Sequence, residues 1–330
     1  MENRLHALQS LKNFLEKMDN SLFIEWCNLA KAENGWFTEE SIRTAIDGII
    51  QLLDEKNLRS WLTSYRETKK PKTIAIIMAG NLPLVGFHDV LCTYIIGHTS
   101  LLKLSSKDSR LFPLIIDEIK KHDPEARLKI ENGKLSGFDA VIATGSDNAS
   151  RYFDYYFAKY PHIIRKNRTS AAILNGEESP NELALLGKDV FQYFGLGCRN
   201  VSSLLVPVGF NFSTLLDSWQ EFSSVSQHHK YFNNYEYQKA IKLINAEPHL
   251  DNGFVLLCES TKLVSPISTV HYQFYRNENE LTEKINFETA KLQCIVGNNI
   301  LCNVNFGQTQ RPAIWSYADN IDTMRFLEKV

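Results

Sequence analysis

Two runs of aliphatic residues in the first part of the chain fall on single helical faces. They are Leu5, Leu8, Leu11 and Leu15, and Ile42, Ile46, Ile49 and Leu53. Apolar residues at this spacing predict amphipathic helices that bury one face. Thr38, followed by two glutamates, predicts a helix N-cap, because a hydroxyl oxygen and an acidic first turn both suit exposed N–H groups. Residues 1–68 are therefore predicted to form a helical segment that covers the core.

From residue 69 the pattern changes to short apolar runs that alternate with helical stretches. The runs KTIAIIMAG, SLLKLSS and AVIATG are separated by helices predicted near residues 84–97 and 109–122. Unbroken apolar runs bounded by Gly or Ser are typical of buried parallel strands. Residues 69–186 are therefore predicted to form a doubly wound, Rossmann-type lobe that binds a dinucleotide. The usual GxGxxG fingerprint is missing, so the cofactor must be held in another way.

A second series of strands and helices follows. The predicted strands are VSSLLVP, GFVLLCES, TVHYQFY, LQCIVGN and ILCNVNFG, with helices around residues 212–226, 233–246 and 278–291. This series predicts a second α/β lobe over residues 187–311, and residues 312–330 read as a turn followed by a short amphipathic tail. The fold class is thus α/β, with two lobes and an N-terminal helical segment.

Length and charge narrow the choice of function. A chain of 330 residues is long for one core, so two lobes with a ligand-binding cleft are expected. The 36 basic and 38 acidic residues nearly cancel and form no basic stripe, which argues against a nucleic-acid partner. No run of about 18 apolar residues occurs, so no membrane span is expected. The charged, amphipathic start is unlike a signal peptide and predicts a cytoplasmic protein.

The six cysteines show neither CxxC spacing nor a His-rich neighbourhood, so neither a metal site nor a disulfide framework is indicated. Four of them lie in apolar surroundings, where burial as a small hydrophobic side chain is expected. Cys198 differs, because the segment Gly195-Leu196-Gly197-Cys198-Arg199-Asn200 places it in a glycine turn beside a cation and an amide.

Polar clusters stand at the ends of predicted strands, where an α/β sheet presents its functional groups. One is Met78-Ala79-Gly80-Asn81-Leu82-Pro83, another is Lys103-Leu104-Ser105-Ser106-Lys107, and Cys198 marks the third. Taken alone, each has an ordinary interpretation: an Asn-containing turn, a solvated Lys/Ser loop and a structural cysteine.

The order of these clusters resembles that in the aldehyde dehydrogenase superfamily. There, strands ending in Asn-x-Pro and Lys-x-Ser precede a Thr-Gly-Ser turn and a Gly-x-x-Cys nucleophile, and this chain has Asn81-Leu82-Pro83, Lys103-Leu104-Ser105, Thr144-Gly145-Ser146 and Gly195-Leu196-Gly197-Cys198. Within that superfamily, three segments resemble the acyl-CoA reductase family of bacterial luminescence, the LuxC type. They are FGLGCRNVSSLLVP, HHKYFNNYEYQKAI and FGQTQRPAIWSYADNIDTMRFL. The resemblance extends over nearly the whole chain from about residue 70.

The resemblance implies a catalytic role for two residues. Cys198 would be the nucleophile that accepts the acyl group, and Asn81 would donate from its side chain to the oxyanion together with the Cys198 N–H. The predicted reaction is the reduction of an acyl-CoA to an aldehyde.

The resemblance also implies a cofactor site. Lys103 would hold the adenosine ribose. Ser106 stands where NAD-preferring relatives have a carboxylate. Ser105, Ser106 and Lys107 could therefore bind a 2′-phosphate, and the cofactor would be NADPH. Thr144, Gly145 and Ser146 would lie at a helix N-terminus that faces the pyrophosphate or the nicotinamide.

Two departures from the family pattern matter. The glutamate with which oxidative relatives activate water is absent, because the matching stretch is Arg165-Lys166-Asn167-Arg168-Thr169-Ser170. A reductase must protect its acyl-enzyme from water until hydride arrives, so this loss favours reduction. The other departure is Lys262, which stands where relatives have a glutamate that steadies the nicotinamide ribose.

Several alternatives stay open. His228 and His229 could supply a proton or bind substrate, although a packed or surface pair is favoured. The same fold and nucleophile could act on an acyl phosphate or a free aldehyde. A catalytically silent homologue that binds an acyl-transferring partner enzyme is a further alternative. The acyl chain length and the oligomeric state, a homo-oligomer included, are also open.

Overall fold

The computed structural model describes all residues of the chain, 1–330. It divides into two compact units, which are described separately. The first comprises residues 1–167 and 312–330, and the second comprises residues 168–311. None of the helices combines the length and the apolar character that crossing a bilayer requires.

The first unit begins with a layer of four helices. They are α1 (Glu2–Glu16), α2 (Asn20–Glu33), α3 (Glu39–Leu52) and α4 (Glu55–Leu62). The predicted leucine and isoleucine faces are both buried in the core of this unit. Thr38 caps α3 as predicted, because its Oγ1 accepts a hydrogen bond from the Ser41 N–H at 3.1 Å.

A parallel sheet with helices between its strands completes this unit. Its elements are β1 (Thr73–Ile77), α5 (Phe87–Ile96), β2 (Thr99–Lys103), α6 (Leu111–His122), β3 (Leu128–Ile130), β4 (Ala140–Thr144), α7 (Asp147–Phe157) and β5 (His162–Arg165). The strand order is β3-β2-β1-β4-β5, and every neighbouring pair is parallel. The predicted doubly wound sheet is thus confirmed.

This strand order determines where ligands can bind. All five strands present their carboxyl ends at one edge, and the chain reverses direction across the sheet between β1 and β4. In doubly wound sheets the crevice for a nucleotide lies outside the carboxyl ends at this switch point. The loops after β1, β2 and β4 therefore lie at the edge where a nucleotide would bind to this unit.

The second unit is also α/β. Its elements are β6 (Thr169–Ile173), α8 (Pro180–Phe191), β7 (Val201–Pro207), α9 (Phe212–Ser218), α10 (His229–Ile244), β8 (Leu250–Asp251), β9 (Leu256–Glu259), β10 (Thr269–Tyr275), α11 (Glu278–Glu288) and β11 (Leu292–Val296). The strand order is β11-β6-β7-β10-β9-β8, and only β8 is antiparallel to its neighbour. The helices α8 and α9 pack on a core around Trp219 and Phe254, and α11 packs on a second cluster through Leu281 and Ile285.

The division between the units differs from the predicted boundary at 186/187, which falls inside α8. Residues from 168 onwards belong to the second unit because β6 pairs with both β7 and β11. The division at 311/312 coincides with the predicted start of the tail. This tail returns to the first unit, where α12 (Thr323–Lys329) buries Met324 and Leu327.

The predicted strand ILCNVNFG does not form. Only Val304 makes a bridge, to Val296. Asn299 Oδ1 accepts from the Leu301 N–H and Asn303 Oδ1 accepts from the Ile295 N–H, each at 2.9 Å. Asparagine side chains that bond backbone groups compete with a strand ladder. Here Asn299 forms a local turn, and the Asn303 side chain occupies a backbone donor of β11.

Candidate functional site

The loop after β1 carries Asn81, which is exposed. A Cβ on the preceding Gly80 would lie 2.6 Å from the Ser105 Cβ and closer still to its Oγ. Glycine is therefore required for the Asn81 loop and the loop after β2 to touch. At Leu84 the backbone has φ +55°, a left-handed conformation that costs a non-glycine residue about 1–2 kcal/mol.

Lys103 ends β2, and the loop after β3 surrounds its ammonium group. Nζ donates to the carbonyl oxygens of Asn132 and Gly133, at 2.7 Å each. Glu131, next to Lys103 across the sheet, accepts from the Gly133 N–H at 2.6 Å. The carbonyls of Asn132 and Gly133 thus hold the Lys103 ammonium group, and Glu131 bonds the same loop. In the loop after β2, Ser106 is exposed.

The turn after β4 leads directly into α7. Ser146 is the N-cap of this helix, and its Oγ accepts from the Ala149 N–H at 3.3 Å. A Cβ on Gly145 would lie 2.9 Å from the Phe153 ring, so glycine lets the turn pack closely against the helix. Thr144, Gly145 and Ser146 therefore lie at a helix N-terminus, as predicted.

The structure brings these residues together at one edge of the first sheet. Asn81 and Thr144-Gly145-Ser146 follow β1 and β4, the strands on either side of the switch point, and Lys103, Ser105 and Ser106 follow or end β2, beside β1. Their roles in binding a cofactor are still predictions.

Cys198 lies in the second unit, in a turn immediately before β7. The Asn200 N–H donates to the Gly197 carbonyl at 3.0 Å, and Asn200 Oδ1 accepts from the Gly197 N–H at 2.8 Å. The Asn200 amide nitrogen also donates to the carbonyls of Asp189 and Gln192 at 3.0 and 2.8 Å. Asn200 is buried, so its amide ties the turn to the end of α8 from inside.

Two further side chains surround this turn. Ser170 Oγ donates to the Cys198 carbonyl at 3.0 Å and accepts from the Cys294 N–H at 3.1 Å, so it joins the turn to β11. The Arg199 guanidinium donates to Cys294 Sγ at 3.4 Å. The turn is therefore held from β6, β11 and α8.

Cys198 is the one exposed cysteine among the six. Burial raises the pKa of each of the other five thiols, to about 11 for Cys27 and Cys302. Since the thiolate is the reactive form, these five are poor nucleophiles.

The stretch that replaces the glutamate motif has structural roles. The Arg165 guanidinium is buried, forms an ion pair with Asp89 and donates to Thr323 Oγ1 at 3.0 Å. Lys166 forms an exposed ion pair with Asp154 at 3.2 Å. The division between the units follows Asn167.

His228 and His229 differ in their surroundings. His228 is half-buried; the centroid of its ring lies 4.5 Å from that of Phe194, and the His229 ring stacks on it with centroids 5.3 Å apart. His229 is exposed and begins α10. Packing thus accounts for His228, and a role for either ring in proton transfer is still a prediction.

Sequence reasoning missed four residues that hold these loops: Asn34, Asp108, Ser170 and Asn200. Each is buried. A buried polar side chain needs a hydrogen-bond partner, but neither its burial nor its partner can be predicted from the neighbouring residues in the sequence. For Asn200 the glycine turn beside it was the one available signal.

Solved structures of similar fold come from several organisms. An NADP dependent enzyme of E. coli has 12% identity and a TM-score of 0.66, with 90% of this chain and 73% of that chain covered. An aldehyde dehydrogenase of Mycobacterium tuberculosis complexed with NAD+ has 14% identity and a TM-score of 0.62, covering 86% and 70%. Aldehyde dehydrogenase C of Pseudomonas syringae, complexed with NAD+ and octanal, has 13% identity and a TM-score of 0.63, covering 86% and 69%.

At these identities the similarity establishes the fold, which is that of the aldehyde dehydrogenases. Residues 7–165 match the family model described as acyl-CoA reductase (LuxC). The match includes the N-terminal helices and ends before Cys198. No curated protein matches the chain. The family match and the fold together support an oxidoreductase that acts on aldehydes.

Proposed function

We propose that the chain reduces a fatty acyl-CoA thioester to the aldehyde with NADPH, through an acyl group carried on Cys198. The observation that carries this proposal is the exposed Cys198 thiol on a turn held by Asn200 and Ser170. A nucleophile that must be acylated and reduced in one geometry benefits from a fixed backbone.

The donors at the edge of the first sheet fit a nicotinamide dinucleotide. Lys103 contributes an ammonium group, Ser105 and Ser106 contribute hydroxyls, and α7 contributes its N-terminal N–H groups. Such donors suit ribose and phosphate oxygens. The exposed Ser106 hydroxyl favours a 2′-phosphate and therefore NADPH.

Glu131 favours the other nicotinamide cofactor. Glu131 directly follows β3, across the sheet from Lys103, and its carboxylate accepts from the Gly133 N–H; a carboxylate at this strand end suits ribose hydroxyls better than a phosphate. NADH is therefore the second candidate. Titrating the protein with each cofactor, followed by quenching of tryptophan fluorescence, gives the two dissociation constants and decides between them.

In the proposed reaction, Cys198 forms the covalent bond to the substrate and Asn81 assists. The Cys198 sulfur attacks the thioester carbonyl, forms a new C–S bond and releases CoA as its thiol. The Asn81 amide and the Cys198 N–H would stabilise the oxyanion; one such donor is worth about 2.7–4 kcal/mol of barrier in other enzymes. When bound, the cofactor supplies a hydride to the acyl carbon. The resulting thiohemiacetal on Cys198 collapses to the aldehyde and returns the thiol, with one proton taken up from solvent.

The stretch from Arg165 to Ser170 supports reduction over hydrolysis. It contains no carboxylate, and Arg165 is occupied by Asp89. Without a general base to activate water, an acyl-enzyme survives until hydride arrives.

The proposal is tested by incubating the protein with acyl-CoA thioesters of increasing chain length and measuring the mass added at Cys198. Cys198→Ala is expected to abolish both acylation and aldehyde formation. Cys302→Ala is the matched control, because burial keeps the pKa of that thiol at about 11 and it should not react. Full turnover by Cys198→Ala would refute the proposal.

Assays in the oxidative direction, together with thiol labelling, separate the rival functions. CoA-dependent production of NADPH from an aldehyde supports the acyl-CoA reductase, whereas phosphate-dependent production would indicate an acyl phosphate substrate. A thiol inert to iodoacetamide, together with no cofactor binding, would indicate a silent homologue that binds a partner enzyme.

A further inference from the structure

The C-terminal end of α2 contacts the loop that carries Asn81. Asn34 is 6% exposed, and its Nδ2 donates to the Gly80 carbonyl at 3.1 Å. Its Oδ1 accepts from the Trp36 N–H at 3.1 Å, which fixes the amide orientation. A residue from the helical layer thus bonds the backbone immediately before Asn81.

The adjacent residue of α2 binds the loop after β2. The Glu33 carboxylate accepts from the Ser109 N–H at 2.8 Å and from the Ser109 hydroxyl at 2.5 Å. It also pairs with the Arg110 guanidinium at 3.1 Å. Glu33 and Asn34 therefore connect one helix end to both loops of the candidate cofactor site.

Asp108 links the two loops directly. Its Oδ2 accepts from the Leu84 N–H at 2.7 Å, at the left-handed residue of the Asn81 loop. Its own N–H donates to the Ser105 carbonyl at 3.0 Å. Asp108 is 3% exposed, so the connection is made inside the protein, and the contact between Gly80 and Ser105 lies beside it.

We propose that Asn34, Glu33 and Asp108 form a clamp that positions the Asn81 loop and the Ser105–Lys107 loop for the cofactor and the oxyanion. These three are positioning residues: they act through the backbone of the two loops. The inference rests on the proposed function for what the loops bind, but the clamp is a property of the fold. The N-terminal helices thereby acquire a role beyond covering the core.

The test uses Asn34→Asp in the full chain. Aspartate keeps the acceptor for the Trp36 N–H and, when ionised, loses the donor to Gly80. Asn57→Asp, at an exposed position of α4, is the matched control. The dissociation constant for NADPH is expected to rise about tenfold, and the rate of Cys198 acylation by an acyl-CoA without cofactor is expected to fall at least about tenfold. Asn57→Asp should change neither.

A second pair of variants distinguishes positioning from general destabilisation. Asp108→Ala removes the acceptor for the Leu84 N–H and is expected to weaken cofactor binding, whereas Asp108→Asn retains an acceptor oxygen and should restore it toward wild type. An Asp108→Asn variant as weak as Asp108→Ala would overturn the proposed role of this bond.

Hydrogen exchange keeps this test independent of the proposed function. In Asn34→Asp the amides of residues 80–84 and 105–109 are expected to exchange faster, whether or not the protein binds NADPH. Wild-type protein that neither binds cofactor nor becomes acylated would refute the proposed function alone. Unchanged exchange, cofactor binding and acylation in Asn34→Asp would overturn the clamp.

Discussion

Replacing Asn200 by aspartate is expected to release the turn that holds Cys198. The substitution keeps the size and the Oδ1 acceptor for the Gly197 N–H. It replaces the donor amide with an oxygen that faces the carbonyls of Asp189 and Gln192, which now lie at 3.0 and 2.8 Å from Nδ2. Three oxygens would then meet in a buried space, without a proton between them when the carboxyl is ionised.

The magnitude follows from these contacts. Two lost hydrogen bonds contribute about 1 kcal/mol each, and the buried Asp189 carbonyl, which would face an oxygen in place of a donor, costs about a further 1–3 kcal/mol, so the total is about 3–5 kcal/mol. Domains are stable by only about 5–15 kcal/mol, so the second unit should lose much of its stability at neutral pH. Asn200→Ala loses the same bonds without adding a charge and should cost less.

The pH dependence of Asn200→Asp has a defined sign. Burial and the facing carbonyls should raise the pKa of the new carboxyl above its ordinary value of about 4. The protonated acid can donate to one carbonyl, so part of the stability is present at low pH and is lost as pH rises through the raised pKa. The variant should therefore be more stable at pH 5 than at pH 8, relative to wild type.

The assay is urea unfolding at both pH values, monitored by hydrogen exchange and mass spectrometry. This readout measures peptides from residues 168–311 separately from the first unit. Asn233→Asp, at an exposed position in α10 of the same unit, is the control and should change stability by less than about 0.5 kcal/mol. Asn200→Asp within about 1 kcal/mol of wild type at pH 8 would refute the reasoning, because the expected loss is at least about 3 kcal/mol.

Two further predictions concern the first unit. Gly80→Ala should destabilise it by about 1–3 kcal/mol through the clash with Ser105, and Ser105→Gly in the same chain should restore part of the loss. If the changes in unfolding free energy of the two single variants, measured in urea, add up to that of the double variant within about 0.5 kcal/mol, the clash is contradicted. Asp108→Asn should flatten the pH dependence of stability. In the wild type, burial raises the pKa of the Asp108 carboxyl from 3.8 to about 7, so between these values the folded state holds a proton that the unfolded chain releases. Stability therefore falls as pH rises through this window, by up to about 1.4 kcal/mol per pH unit. Parallel stability curves for wild type and Asp108→Asn between pH 4 and 8 would count against it.

Most of the strands could be predicted because a buried parallel strand is apolar on both faces. The runs that contain β1 and β4 are of this kind. The runs of β2, β7, β9, β10 and β11 include polar residues, but each holds enough aliphatic or aromatic residues to be recognised as a strand. The strands β3 and β5 have three and four residues, too few for a pattern, and β6 begins with the polar pair Thr169-Ser170. Their positions depend on neighbours in the sheet, which a local pattern does not contain.

Part of the candidate site could be predicted from the sequence, because the functional residues of an α/β sheet lie at the ends of its strands. Asn81, Lys103 and Thr144 each end an apolar run or directly follow one, so their placement in loops at the carboxyl edge of the first sheet was a local inference. That the loops after β1 and β2 touch was not, because contact between Gly80 and Ser105 requires two strands to lie side by side.

The α/β class, the helical N-terminal segment and the polar residues at the strand ends can be derived from the sequence alone, because each depends on the period of apolar residues or on a few consecutive residues. The remaining features depend on tertiary structure. It placed the division of the units after Asn167, returned the tail to the first unit, and set buried Asn34, Asp108 and Asn200 behind loops that they do not adjoin in the chain. Burial and hydrogen-bond partners arise from packing between distant segments, so only the folded chain shows them.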